Sequence, residues 1–179
     1  MTTSTETPQI YVACLAAYNN GFLHGTWIDC DQDAENIQAE VNEMLKTSPA
    51  WEIGDVCEEW AIHDYQYFGD ISISESESFE TVAAIAQAVK EHGKAFLAYY
   101  SIWGELDTDD FEDRYQGEHN NQHDFVYGQL EDWGTLKTWT DAGMQECYID
   151  FDAIARDWFI NDYCSERSPE GNIFVFSNH

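Results

Sequence analysis

The order of apolar and polar positions predicts a small sheet with one helix over the first third of the chain. Ile10-Tyr-Val-Ala-Cys-Leu15 is a β-type apolar run, and Tyr18-Asn-Asn-Gly21 supplies the Asn and Gly that favour a turn. Phe22 to Ile28 returns as a second strand. Asp31 or Asp33 can cap a helix that continues to Lys46, with Ile37, Val41, Met44 and Leu45 on one face. Pro49 ends it. Glu59-Trp-Ala-Ile-His-Asp-Tyr65 reads as a third strand, in which Trp60, Ile62 and Asp64 alternate against Ala61, His63 and Tyr65.

From Gly69 to Ser78 the composition shifts to Ser and Glu, as a linker or helix lead-in would. Phe79, Val82, Ala83, Ile85, Ala86 and Val89 then recur at helical spacing. Gly93 interrupts, and Ala95 to Trp103 gives a second short helix. Gly104 to Asp110 is the next boundary. The last third reads as helical, over Phe111 to Tyr115 and Phe125 to Trp133. Phe151, Ile154, Ala155, Trp158 and Phe159 form the clearest amphipathic stripe, behind Asp150 as N-cap. Ile173-Phe-Val-Phe176 closes as a strand. The class is α+β.

Charge changes this picture most. The 179 residues carry 35 Asp and Glu against 7 Lys and Arg, a formal charge of −28. The acids are not gathered in a tail: residues 1–70 hold 13 with one base, residues 71–108 hold 6 with 2, and residues 109–179 hold 16 with 4. Such a field excludes nucleic acid as a direct ligand, since nothing could neutralise its phosphates, and points to a basic partner. At 44% hydrophobic and 15% aromatic the chain can nevertheless bury a core, so the disorder reading of high net charge fails. No apolar run is long enough to span a membrane, and the polar stretch Met1 to Pro8 does not read as a signal peptide. The cysteines, at 14, 30, 57, 147 and 164, form neither a disulfide framework nor a CxxC zinc pair. A reducing cytoplasm suits them, with Cys14 and Cys57 as inert core thiols.

Catalytic and cofactor motifs are missing from the sequence: no GxSxG, HExxH, GxGxxG or P-loop lysine motif occurs. His63-Asp64 could orient an imidazole for base catalysis, but neighbours on a strand point to opposite faces. His119 and His123, four apart in a polar stretch, read as a solvated face rather than a metal pair. Asp29, Asp31, Asp33 and Glu40 fall at EF-hand positions 1, 3, 5 and 12, yet Ala34 stands where that loop needs Gly. In a chain this acidic, such spacings arise by chance. The expectation is a protein that is not an enzyme and takes no metal or cofactor.

Four blocks carry a family resemblance. The stretch from Ile10-Tyr-Val-Ala to Tyr18-Asn-Asn-Gly-Phe-Leu-His-Gly-Thr-Trp-Ile-Asp29 resembles the opening of ArdA-type antirestriction proteins, where a Y-x-x-G-x-x-x-G-x-W pattern recurs. Glu59-Trp-Ala-Ile-His-Asp-Tyr65, Phe111-Glu-Asp-Arg-Tyr-Gln-Gly-Glu118 and Tyr148-Ile-Asp-Phe-Asp-Ala-Ile-Ala-Arg-Asp-Trp-Phe-Ile-Asn-Asp-Tyr163 are similar to three further segments of that family, in family order. The resemblance implies an inhibitor of type I restriction–modification enzymes, carried on mobile elements, that mimics duplex DNA. It further implies an elongated chain of three small domains, here 8–69, 70–107 and 108–179, dimerising through the last. The expected partners are the methyltransferase core of such an enzyme and a second copy of the chain.

Magnitudes agree with that implication. Duplex DNA carries one charge per about 1.7 Å, so the net charge matches roughly 48 Å of helix, near 14 base pairs. A compact globule of this length has a radius of gyration of only about 16 Å, on which charges on every side would imitate a duplex poorly. The candidate phosphate mimics are Asp29, Asp31, Asp33, Glu35, Glu58, Glu59, Asp109, Asp110, Glu112, Asp113, Glu118, Asp132 and Asp152. Trp139, Tyr148 and Phe151 are the dimer-interface candidates. Two other classes compete: a halophile-type acidic globule with no mimic role, and a small enzyme using His63 and Asp64.

Overall fold

The computed structural model describes residues 7–179; Met1 to Glu6, most of the polar N-terminal stretch, lie outside the described residues. The chain divides into two compact units, one ending at Leu106 and the other running Asp107–His179. Each contains a three-stranded antiparallel sheet, and the α+β class holds. No helix among the described residues is long and apolar enough to cross a membrane.

In the first unit, β1 (Gln9–Cys14) is the central strand, flanked by β2 (Gly25–Asp29) and β3 (Trp60–Gln66). A short helix α1 (Leu15–Asn19) follows β1 where a plain turn is expected, and Gly21, at φ +83°, completes the reversal. The second strand begins later than the apolar pattern suggests, because Phe22 and Leu23 belong to the connecting loop. Gly25 is required by space: a Cβ there would sit 2.6 Å from the Val12 carbonyl oxygen and 2.8 Å from the Tyr11 ring. Tyr11 in turn packs on Trp27, ring centres 5.5 Å apart.

Helix α2 (Ala34–Lys46) has Asp33 at its N-cap position and buries Ile37, Val41, Met44 and Leu45 against the sheet, the face read from periodicity. A 3₁₀ turn, Pro49–Ile53, follows it. The Gly69–Ser78 segment is not a free linker, since Ile71 is buried and the Glu75 carbonyl accepts the Ile62 N–H (2.8 Å). Its last residue, Ser78, caps α3 (Phe79–His92) by accepting the Thr81 N–H. Phe79, Val82 and Ile85 of α3 lie in one core with Ile10, Val12 and Ile28, and Trp60 stacks on Phe79 at 4.4 Å. After Gly93, α4 (Lys94–Trp103) packs back on α3.

Cys14, Cys30 and Cys57 are buried. Burial, reinforced by the Asp29 carboxylate, pushes the Cys30 thiol up to about 12. An unfolded thiol ionises near 8.5, so alkali draws protons from the unfolded state first, and the stability this group contributes is present below that value. Resistance to urea is therefore expected to fall as pH rises from about 9 towards 12, with a shallower fall in Cys30→Ala; denaturation midpoints across that range would check it.

The second unit holds more strand than the sequence suggests. Helix α5 (Thr108–Arg114) starts behind Asp107, whose carboxylate accepts the N–H groups of Asp109 and Asp110. It leads directly into β4 (Tyr115–His119), then α6 (Gln122–Asp132), α7 (Thr135–Asp141) and α8 (Phe151–Asn161). Strands β5 (Tyr163–Arg167) and β6 (Ile173–Ser177) form the closing hairpin, and the sheet order is β4-β6-β5. Only β6 has a fully apolar run. Phe125, Val126, Leu130, Ala155 and Val175 form the core between the helices and the sheet, and Phe125 meets the rings of Trp158, Phe159 and Tyr163 edge-on.

Candidate partner-binding surface

No described Asp or Glu is buried, and all but Asp31, Glu77, Asp110 and Glu166 are exposed. The few bases do little to break the negative surface. Lys46 pairs with Glu43, Arg114 with Asp110 and Lys137 with Asp141, each three or four residues along a helix, so positive charge is cancelled where it stands. Lys90 reaches from α3 to Asp31 (2.8 Å). The field also reaches the phenols. The Glu146 carboxylate, ahead of partial burial and Glu131, holds Tyr127 above its ordinary value.

The candidate phosphate mimics divide into two sets. Asp33, Glu35, Glu58, Glu59, Asp109, Glu112, Asp113 and Asp132 are exposed, and their carboxylates have no hydrogen bond or ion pair among the described residues. Helix geometry positions several of these. Asp33 and Glu35 stand at the start of α2 and Asp109 at the start of α5, where the helix dipole favours negative charge. Glu58 and Glu59 precede β3, and the Glu59 backbone is fixed by accepting the Leu15 N–H (3.1 Å).

The other set has partners within the chain. Asp29 accepts from Gln9 Nε2 (2.5 Å), Asp31 from Lys90 and Asp110 from Arg114 Nε (2.7 Å). Asp152 lies 3.0 Å from His123 Nδ1. Glu118 is the most structural of them: one carboxylate oxygen accepts from Ser168 Oγ (2.9 Å) and Asn172 Nδ2 (3.1 Å), tying β4 to the turn of the β5–β6 hairpin. Apart from Asp110 and Arg114, four residues apart on a helix, sequence spacing carries no signal of these pairings, which join residues far apart in the chain.

The chemistry weighed for His63 and Asp64 does not assemble. Tyr11 pairs with Asp64 and Val12 with Ile62, so His63 is the extra residue of a β-bulge and the expected alternation breaks there. The His63 ring packs edge-on against Tyr18 at 4.8 Å, while the Asp64 carboxylate accepts the Tyr65 N–H (2.8 Å). In the EF-hand-like spacing, Glu40 is engaged by Gln32 Nε2 (2.7 Å) and Asp31 by Lys90. Of the dimer candidates, Tyr148 is 77% exposed and Trp139 half-buried, whereas Phe151 is only 8% exposed and belongs to the core of its own unit.

The blocks that carry the resemblance now have physical meanings. Gly21 completes the reversal after α1, Gly25 lets β2 approach the Val12 carbonyl, and Trp27 packs on Tyr11 across the strand pair. Phe111 stacks on Tyr115 at 5.2 Å, and β4 bulges at Gln116, between Tyr115 and Gly117, which stands at φ +101° ahead of Glu118. Asp150 caps α8 by accepting the Ala153 N–H (2.9 Å). No curated protein matches the chain. A family model described as "Antirestriction protein (ArdA)" matches residues 10–169, nearly the whole of it. With that match, the chain belongs to the ArdA family of antirestriction proteins.

Proposed function

We propose that this antirestriction protein acts as a mimic of duplex DNA and occupies the DNA-binding groove of a type I restriction–modification enzyme, at its methyltransferase core. The observation that carries the proposal is the surface position of every described carboxylate, combined with ion pairs that occupy Lys46, Lys90, Arg114 and Lys137. Carboxylates in such an array stand where phosphates would, accept hydrogen bonds from the partner's Arg and Lys, and release counterions from both surfaces. No base edge is offered, so inhibition is indifferent to the enzyme's target sequence. The unpartnered acids, Asp33, Glu35, Glu58, Glu59, Asp109, Glu112, Asp113 and Asp132, are the first choices for this role. Binding is tested by competition with labelled duplex DNA for a purified methyltransferase core. Displacement supports the reading, and a complex in which DNA and inhibitor sit together contradicts it.

On this reading the protein works in the cytoplasm of a bacterial host, as a mobile element's product. It also forms a homodimer through the second unit. Tyr148, Trp139, Trp133 and Ile160 offer exposed or half-exposed apolar area there, in a segment too small to bury it alone. A two-fold axis would double the length of the charge array. Sedimentation at micromolar concentration is expected to give a dimer, weakened by Tyr148→Ser; a monomer throughout contradicts this part and halves the mimic.

A further inference from the structure

Two neighbouring connections of the first unit, α1 with the loop after it and the 3₁₀ turn with the loop after it, hold large apolar side chains out in solvent: Tyr18, Phe22 and Leu23 on one, Trp51, Ile53 and Val56 on the other. Leu23 is 93% exposed, Val56 62% and Ile53 55%. The loops are fastened side by side. Asn20 Nδ2 donates to the Asp55 carboxylate (2.5 Å) and to the Ala16 carbonyl (2.8 Å), and the Asp55 N–H donates to the Ala50 carbonyl (3.1 Å). The Trp51 indole N–H is pinned to the Leu45 carbonyl at the end of α2 (3.0 Å).

Phosphate mimicry does not call for such a feature, because a duplex backbone presents charge and sugar, not a cluster of aliphatic and aromatic side chains. Apolar groups gathered on a surface and rimmed by polar ones mark protein-binding sites. Anchors of this kind, surrounded by residues that exclude water, carry a large share of binding energy. The rim here has one sign: Glu52, Asp55, Glu58 and Glu59 are exposed, and no Lys or Arg occurs in the chain between Lys46 and Lys90. That sign selects the occupant. A second copy would bring the same acidic rim against itself, and an anionic lipid surface would be repelled likewise.

We infer that the two-loop patch is an apolar anchor that docks a protein surface with an apolar pocket bordered by Lys and Arg, on the same restriction enzyme the acidic surface engages. The inference rests on the proposed inhibitor function and adds to it an interaction that DNA itself does not make. Apolar burial is not screened by salt, whereas the carboxylate pairs are. The anchor therefore supplies affinity that survives at high ionic strength, where the DNA competitor has released.

The test is a full-length variant carrying Leu23→Ser, Ile53→Ser and Val56→Ser, compared with the unaltered protein for binding to the methyltransferase core over a range of salt. All three side chains are exposed, so the fold and melting profile should be unchanged by circular dichroism. The expected result is binding weaker by about tenfold or more at every salt concentration, with the same dependence of log affinity on log salt. Equal affinity of the two proteins overturns the anchor. So does loss of self-association in the variant with enzyme binding intact, which assigns the patch to a second copy. An unaltered protein that binds the enzyme without displacing DNA, and still loses affinity in the variant, refutes the mimic and keeps the anchor. No binding of the unaltered protein removes both.

Discussion

Grouped neutralisation of the unpartnered acids, Glu58, Glu59, Asp109, Glu112 and Asp113 to their amides, is expected to weaken binding to the methyltransferase core by roughly a hundredfold or more at low salt. Each single replacement, including Asp31→Asn and Asp33→Asn, is expected to change it severalfold at most, because an exposed ion pair is worth about 0–1 kcal/mol. The difference follows from how affinity accumulates. Every carboxylate that stands in for a phosphate adds a salt-sensitive ionic contribution, and the salt slope becomes shallower as these carboxylates are neutralised. An active site would behave in the opposite way, with one or two carboxylates abolishing activity and the rest silent. Competition titrations of single and grouped variants, each checked for folding, distinguish the two patterns. One exposed acid that abolishes inhibition while the grouped change does nothing would end the distributed mimic.

Core packing predicts a second large effect of a different kind. Phe125 is fully buried and meets Trp158, Phe159 and Tyr163 edge-on at 6.3, 5.8 and 4.9 Å between ring centres. Phe125→Ala removes the side chain around which the second unit is packed, and its cost is about 3–5 kcal/mol. A unit of this size has little more than that to lose, so it should melt well before the first unit or fail to fold. Trp60 and Trp158 are half-buried, and their replacement should cost less. In each case binding falls through loss of folded protein, and a melting curve separates this from the amide variants, which leave the fold intact.

Much of the fold is legible in the sequence where one physical signal dominates. The apolar stripe of α2, the Ser78–Phe79 start of α3, the break at Gly93 and the Asp150 cap of α8 each follow from periodicity or capping chemistry. Strands β4 and β5 do not show, because Tyr-Gln-Gly-Glu-His and Tyr-Cys-Ser-Glu-Arg are short, polar edge strands that depend on pairing with the apolar β6. His63 misleads for a similar reason: a bulge shifts it out of alternation, and nothing local to β3 announces the bulge. The acidic surface is legible as composition but not as a site. That Glu118 braces a hairpin while Glu112 stands free in solvent depends on Ser168 and Asn172, 50 and 54 residues further along the chain, which only the fold brings close. The resemblance blocks mix residues of shape, Gly25, Gly117 and Trp60 among them, with exposed acids such as Glu59, Glu112 and Asp113, so they identify the family without separating its fold from its surface.

The salt dependence of binding tests the central claim most directly. Affinity for the purified methyltransferase core is measured at increasing salt, for this protein and for duplex DNA on the same enzyme. If carboxylates replace phosphates, log affinity falls steeply with log salt for both, with slopes that resemble each other; duplex DNA held through roughly 6–10 phosphate contacts loses about 10³–10⁵ in affinity between 50 and 200 mM salt. An affinity that stays flat over that range, or a protein that needs high salt to hold its structure as a halophile's does, would contradict the DNA-mimic account.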